Sequence, residues 1–293
     1  MHEMKSFLDD TDACKKIDIS GFIDRISHLP QQCAEAWQLG LEFQVPMEYR
    51  NVTDVVLTGV GGSAIGGELL ADLVLQHGGP TIRICRDYNL PRSVGTNSLV
   101  IVSSYSGNTE ETVTTFDRAL EQKAKIIVVT TGGLLLDRAL ENKIPTFTVK
   151  YVGEPRTALG FSLLVPLAIL QNLGLVGPID QEVHEAISVL TNLECRLSPD
   201  ITVDHNPAKE LAISMKDKLI VVYGAGILSG VARRWKTQLN ENAKVYYFVF
   251  LSIFAISLID YKYSHTDIPA KFFLILLFFY IFFNSINSKN KFL

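Results

Sequence analysis

Residues 247–293 contain no glycine, and the chain as a whole has few cysteines, no surplus of positive charge and no long uninterrupted apolar run. Each shortage excludes something. The four cysteines, Cys14, Cys33, Cys85 and Cys195, are far apart and form no C-x-x-C pair, which removes both a zinc site and a disulfide framework. With 27 Lys and Arg against 31 Asp and Glu, there is no basic excess to neutralise a phosphodiester backbone, so nucleic acid is not an expected partner. The start, "MHEMKSFLDDTDACKK", lacks the basic residues and apolar stretch of a secretory signal. The apolar blocks Tyr246 to Ile259 and Phe272 to Phe283, separated by Pro269 and Lys271, are each shorter than the roughly 20 residues that span a bilayer. The expectation is a reduced, cytoplasmic protein without metal or cofactor and without a membrane partner, its apolar tail notwithstanding.

What is present is a rhythm of short β-branched runs and longer helical stretches. "DVVLTG" (Asp54 to Gly59), "TIRICR" (Thr81 to Arg86), "SLVIVSS" (Ser98 to Ser104), "KIIVVTT" (Lys125 to Thr131) and "TFTVK" (Thr146 to Lys150) read as strands. "SAIGGELLADLVLQHG" and "TEETVTTFDRALEQKA" have apolar residues at helical spacing and the length of crossover helices. Alternation of this kind predicts an α/β, doubly wound parallel sheet covered on both faces, with its binding site at the carboxyl ends of the strands. Residues 153–216 turn helical. "DKLIVVYGAGILSGVARRWKTQLNENAK" then repeats the strand, glycine turn and helix of "DVVLTGVGGSAIGGELLADLVL", as a duplicated α/β domain would. The expected organisation is an N-terminal segment over 1–18, a first domain over 19–152, a helical connection over 153–216, the start of a second, incomplete domain over 217–246, and a divergent tail over 247–293. The tail holds ten of the sixteen phenylalanines and reads as translated AT-rich sequence, as a frameshift or retained intron would give.

Two turns attract chemical interest. "GVGGSAIGG" sets five glycines around Ser63 between a strand and a helix, where the backbone can approach an anion and the helix N-terminus favours negative charge. Its spacing, Gly59, Gly61 and Gly66, is not the dinucleotide G-x-G-x-x-G, and Asp87 after the second strand is flanked by Arg86 and Arg92, a poor ribose-binding acid. A nicotinamide cofactor is therefore not expected, and a purely structural glycine turn stays open. In "SSYSGNTEET", Ser104, Ser106 and Thr109 stand between a strand and a helix. Converging hydroxyls, backbone N–H groups and a helix dipole suit a dianionic phosphate monoester. An ordinary capping box, Thr109 with Thr112 or Glu111, is the alternative and needs only one of these hydroxyls. Taken alone, Arg156 beside Pro155 reads as a surface or helix-start residue, and Glu241 as a surface carboxylate near Lys244.

Four stretches in this order, "GVGGSAIGG", "SSYSGNTEET", "GEPRTALGFSL" and "QLNENAK", resemble the bifunctional phosphoglucose/phosphomannose isomerases of the sugar isomerase (SIS) fold, from about Ile19 to Tyr246. The resemblance implies two SIS-type subdomains assembled as a homodimer, and interconversion of glucose 6-phosphate or mannose 6-phosphate with fructose 6-phosphate. It implies that Ser104, Ser106 and Thr109 bind the sugar phosphate with Gly62 and Ser63 lining the same pocket. It further implies that Glu241 is the proton-transfer base and that Arg156 supplies positive charge to the enediolate.

The resemblance breaks off after "NENAK". Family members continue with a histidine for ring opening, contributed across the dimer interface, and a lysine near the C-terminus. Here His265, in "YKYSHTDIP", is the only histidine beyond Glu241, its surroundings differ, and the role is not carried over to it. A sugar-phosphate-binding SIS protein impaired in catalysis is thus the alternative to the isomerase.

Overall fold

The computed structural model describes residues 7–216, 220–243 and 248–251. The chain divides into two compact units, Gln32–Ile179 and Met1–Gln31 with Asp180–Leu293. Three helices come first, α1 (Thr11–Ile17), α2 (Phe22–Ser27) and α3 (Leu29–Glu42). The unit Gln32–Ile179 then continues with β1 (Asp54–Thr58), α4 (Gly62–Gln76), β2 (Ile82–Cys85), β3 (Ser98–Ser104), α5 (Glu110–Glu121), β4 (Lys125–Thr130), α6 (Gly133–Glu141), β5 (Thr146–Thr148) and α7 (Leu159–Asn172).

Its five strands are all parallel, in the order β2-β1-β3-β4-β5. Val55 lies opposite Leu99, and Val100 opposite Ile126. All seven residues of β3 are buried, as a central strand covered by helices on both faces requires. The amphipathic α5 turns Val113, Phe116 and Ala119 inward, where they join Val100, Val102, Ile126 and Val128 in one core cluster. The five expected strands form within a residue or two of their expected bounds.

The strand order decides where a ligand can go. From β1 the chain crosses to β2 on one side and then returns to β3 on the other, so the connections after β1 and β3 leave the sheet in opposite directions. This is a topological switch point, and open α/β sheets bind ligands in the crevice at the carboxyl ends of such strands. The glycine turn follows β1 and the hydroxyl-rich turn follows β3.

The second unit contains α1, α2, α8 (Asp180–Leu197), α9 (Pro207–Met215), β6 (Val221–Gly224), α10 (Ser229–Gln238) and β7 (Phe248–Leu251). Asp9 ties its distant parts together, accepting from the Val203 N–H at 2.8 Å and from Lys209 Nζ at 3.2 Å. Strand β6 pairs in parallel with β7, Val221 opposite Phe248 and Gly224 opposite Leu251.

Three boundaries differ from those the sequence suggests. The first unit ends at Ile179 rather than 152, because α7 is apolar around its whole circumference, with Leu159 to Leu170 buried apart from Ser162. Such a helix must be enclosed. Residues up to Gln31 group with the second unit rather than starting the first, held by the hydrogen bonds of Asp9 to Val203 and Lys209. Finally, Phe248–Leu251 is a strand of the second sheet although composition assigns it to the tail. Residues 252–293, with His265 and most of that tail, lie outside the described residues, as does Lys244. Among the described residues no helix is long and apolar enough to cross a membrane.

Burial has a measurable consequence at Cys33 in α3. Removal from water pushes its thiol up to about 12 from an ordinary 9.0, and the thiolate is the reactive form. Iodoacetamide at pH 8.5 is expected to label the exposed Cys195 and to spare Cys33 until the chain is denatured, which peptide mass spectrometry will read. Labelling of Cys33 in the native protein at the rate of Cys195 would contradict this environment. In the unfolded chain the same thiol ionises near 9, so its burial costs stability as pH rises above that value.

Candidate functional site

The turn after β3 is built largely from its own short side chains. Ser104 is buried, at 2% exposure; its hydroxyl donates to Thr109 Oγ1 at 3.1 Å and accepts from the Gly107 N–H at 3.1 Å. The left-handed φ of 68° at Gly107 lets the turn press against the loop after β4, where a Cβ would stand 1.7 Å from the Gly132 carbonyl oxygen. Asn108 Oδ1 accepts from the Leu134 N–H at 3.0 Å, and the Gly107 carbonyl accepts from the Leu135 N–H at 2.9 Å.

A hydroxyl has one proton to donate. That of Ser104 is directed at Thr109, so Ser104 braces the turn. Ser106 is exposed, and its oxygen accepts from the Asn108 N–H at 3.3 Å. Thr109, at the N-cap of α5, makes no capping hydrogen bond with its side chain. The capping-box alternative is therefore not what forms. In these bonds Ser106 and Thr109 act only as acceptors, and both hydroxyls lie at the start of α5, where the N-terminal amides and the positive end of the dipole are.

The glycine turn joins this arrangement through Ser63, whose Oγ accepts from the Tyr105 N–H at 3.3 Å. At Gly62 a Cβ would lie 2.9 Å from the carbonyl carbon and oxygen of Pro155 and 3.1 Å from the Arg156 nitrogen. The missing side chain is what allows the segment carrying Arg156 to lie against the start of α4. Arg156 itself, in the short 3-10 turn Pro155–Thr157, is half-buried. A recess opens here, its walls including Ser63, Ser103, Tyr105, Thr130, Pro155 and Ser162.

Gly62, Ser63, Ser104, Ser106, Thr109 and Arg156 thus come from three connections of one sheet. Glu241 belongs to the other unit. There it is exposed in the π-helical turn Leu239–Ala243 that continues α10, a distortion frequent at functional sites. Among the described residues no group of three or more His, Cys, Asp or Glu side chains could hold a metal ion. The sequence reading missed Tyr105. Its only signal there is that it is the one large side chain among the small ones of "SSYSGNTEET".

A parallel sheet with a hydroxyl-lined turn at its switch point, and a second strand–turn–helix unit after it, defines an SIS-type sugar-phosphate isomerase fold. Residues 204–252 match the bacterial phospho-glucose isomerase C-terminal SIS domain. The chain is 39% identical over 230 residues to the bifunctional phosphoglucose/phosphomannose isomerase of Caldicellulosiruptor bescii, covering 78% of this chain and 68% of that protein. It is 33% identical to the protein of the same name from Thermoplasma acidophilum, covering 66% of this chain and 56% of that one. Among solved structures, the C-terminal domain of glucosamine-fructose-6-phosphate aminotransferase from Francisella tularensis shares the fold, with a TM-score of 0.63, 13% identity, and coverage of 91% of this chain and 95% of that one. The chain belongs to the bifunctional phosphoglucose/phosphomannose isomerase family, and it spans about two thirds or less of the length of these two relatives.

Proposed function

We propose that the chain interconverts glucose 6-phosphate or mannose 6-phosphate with fructose 6-phosphate as a cytoplasmic homodimer. The observation that carries this reading is the uncapped, hydroxyl-lined start of α5 at the switch point, in a chain of this family. The phosphate is held by the hydroxyls of Ser106, Thr109 and Ser63 and by the amides that open α5, an arrangement of neutral donors that needs no buried counter-charge. Ser104 and Gly62 shape the turns that present them.

Glu241 is the base that removes the proton from C2 of the open-chain aldose. The electron pair left behind forms the C1–C2 double bond of an enediolate, whose oxygen charge Arg156 stabilises. With the O2 proton passed to O1, returning the carbon-bound proton to C1 re-forms the carbonyl at C2 and gives the ketose. Its return to either face of C2 in the reverse direction gives either epimer of the aldose. Hydrogen and electrons are rearranged within one molecule, so the reaction balances without a co-reactant.

Incubation with fructose 6-phosphate in deuterated water, followed by NMR, tests the proposal. Glucose 6-phosphate or mannose 6-phosphate carrying deuterium at C2 is expected. Tight binding of the ketose phosphate with neither product nor exchange would instead establish the second reading, a binding protein impaired in catalysis. That reading draws on the histidine motif that the sequence lacks after Glu241.

A further inference from the structure

The middle of the hydroxyl-rich turn holds one side chain that is neither small nor aimed at an anion. Tyr105 makes polar contacts in three directions. Its N–H donates to Ser63 Oγ. Its carbonyl accepts from the Thr131 N–H at 3.1 Å and from Thr131 Oγ1 at 2.6 Å. Its phenol oxygen donates to the Tyr151 carbonyl at 2.7 Å and accepts from the Gly153 N–H at 3.1 Å.

The third set of contacts leads to Arg156. From Tyr151 the hydroxyl donates to Thr157 Oγ1 at 2.9 Å, and Thr157 Oγ1 donates to the Glu154 carbonyl at 2.8 Å. Gln32 closes the far side, donating to the Thr157 carbonyl at 3.0 Å and accepting from the Gly160 N–H at 2.7 Å. The residues on both sides of Arg156 are thereby fixed to one another, and the Tyr105 phenol links that assembly to the turn after β3.

We propose that Tyr105 is a positioning residue: its hydroxyl sets the Arg156 segment at a fixed place relative to the phosphate turn, so that the charge meant for the enediolate and the anchor for the phosphate share one frame. The inference rests on the isomerase reading for the purpose of Arg156, but the link itself is a property of the folded chain. Its backbone contacts to Ser63 and Thr131 hold the phosphate turn and do not depend on the phenol. Removing the oxygen should therefore separate the two functions. The segment holding Arg156 loses the phenol's hydrogen bonds, while the phosphate turn keeps its shape.

Tyr105→Phe in the full chain is the test, with two readouts. Amide exchange in the peptide 151–158 is expected to accelerate by at least about tenfold, on the scale of one lost hydrogen bond to a protected amide, with exchange in 109–121 unchanged. In the turnover assay kcat is expected to fall by about tenfold to a hundredfold, since small misplacements of a positioned charge cost this much, with KM within about twofold of the parent because phosphate binding is untouched. Unchanged exchange in 151–158 overturns the proposal. So does faster exchange with kcat per folded molecule unaltered, which would make the phenol a structural tether only. A fall in affinity as large as the fall in kcat would also overturn it, by placing the phenol in the phosphate turn. If the parent chain shows no turnover, the isomerase reading fails, and the exchange measurement alone then supports or overturns the tether.

Discussion

Replacing Glu241 by glutamine is expected to lower kcat by at least about a hundredfold, the contribution of a positioned general base, while affinity for fructose 6-phosphate changes by no more than about twofold. The amide keeps the shape of the carboxylate but cannot take a proton from carbon. Glu241 belongs to a different unit from the phosphate turn, so the substitution leaves the hydroxyls of Ser106 and Thr109 and the amides of α5 unaltered. Loss of kcat with retained affinity is the signature of an interaction that matters only as the proton moves. Deuterium exchange at C2 gives the stricter measurement, because it reports proton removal even when product release limits turnover. Continued exchange at the parent rate in the variant would show that another group is the base.

The first sheet is legible in the sequence because its central strands are buried on both faces. "SLVIVSS" and "KIIVVT" are continuous β-branched runs, and few other structures accommodate such runs between helical stretches. Helix α6, "GLLLDRALE", escapes a periodicity reading because its nine residues are short and three consecutive leucines obscure any face. The unit boundary at Ile179 is hidden for a related reason. An all-apolar helix such as α7 announces that it is buried, without saying against which sheet. Strand β7 is lost for the opposite reason: "FVFL" has strand composition, but it stands at the head of a segment so rich in phenylalanine that composition dominates the reading.

At the candidate site, the sequence singles out the hydroxyl-rich turn and leaves the hydrogen bonding within it unread. Ser104, Ser106 and Thr109 look equivalent as residue types. Only hydrogen-bond directions distinguish Ser104, which spends its proton inside the turn, from the other two. The partners that decide the role of Tyr105, Ser63 and Tyr151, lie 42 and 46 positions away, and no local spacing rule reaches that far.

That distinction makes the double variant Ser106→Ala with Thr109→Ala the sharpest probe of phosphate binding. Hydrogen bonds to a charged group are each worth about 1.5 to 3 kcal/mol, so losing two should weaken binding of fructose 6-phosphate by more than tenfold, and by about a hundredfold if the lower values add. The fold should lose stability only through the brace that the buried Ser104 hydroxyl makes to Thr109 Oγ1. Ser106 is exposed, and Thr109 makes no capping hydrogen bond with its side chain, so its removal forfeits less than the usual cost of a cap. Ser104→Ala should behave differently. It breaks that same brace and also leaves the Gly107 N–H without its acceptor inside a buried turn, and should therefore lower the unfolding temperature further than the double variant does. Isothermal calorimetry and thermal unfolding on the same samples separate the two effects. Fructose and fructose 6-phosphate are measured in parallel, because only the phosphate ester should distinguish the parent from the double variant. Equal affinity of the parent for both sugars would remove the phosphate from the site. An unaltered Kd in the double variant would instead assign its recognition to the backbone amides of α5 alone.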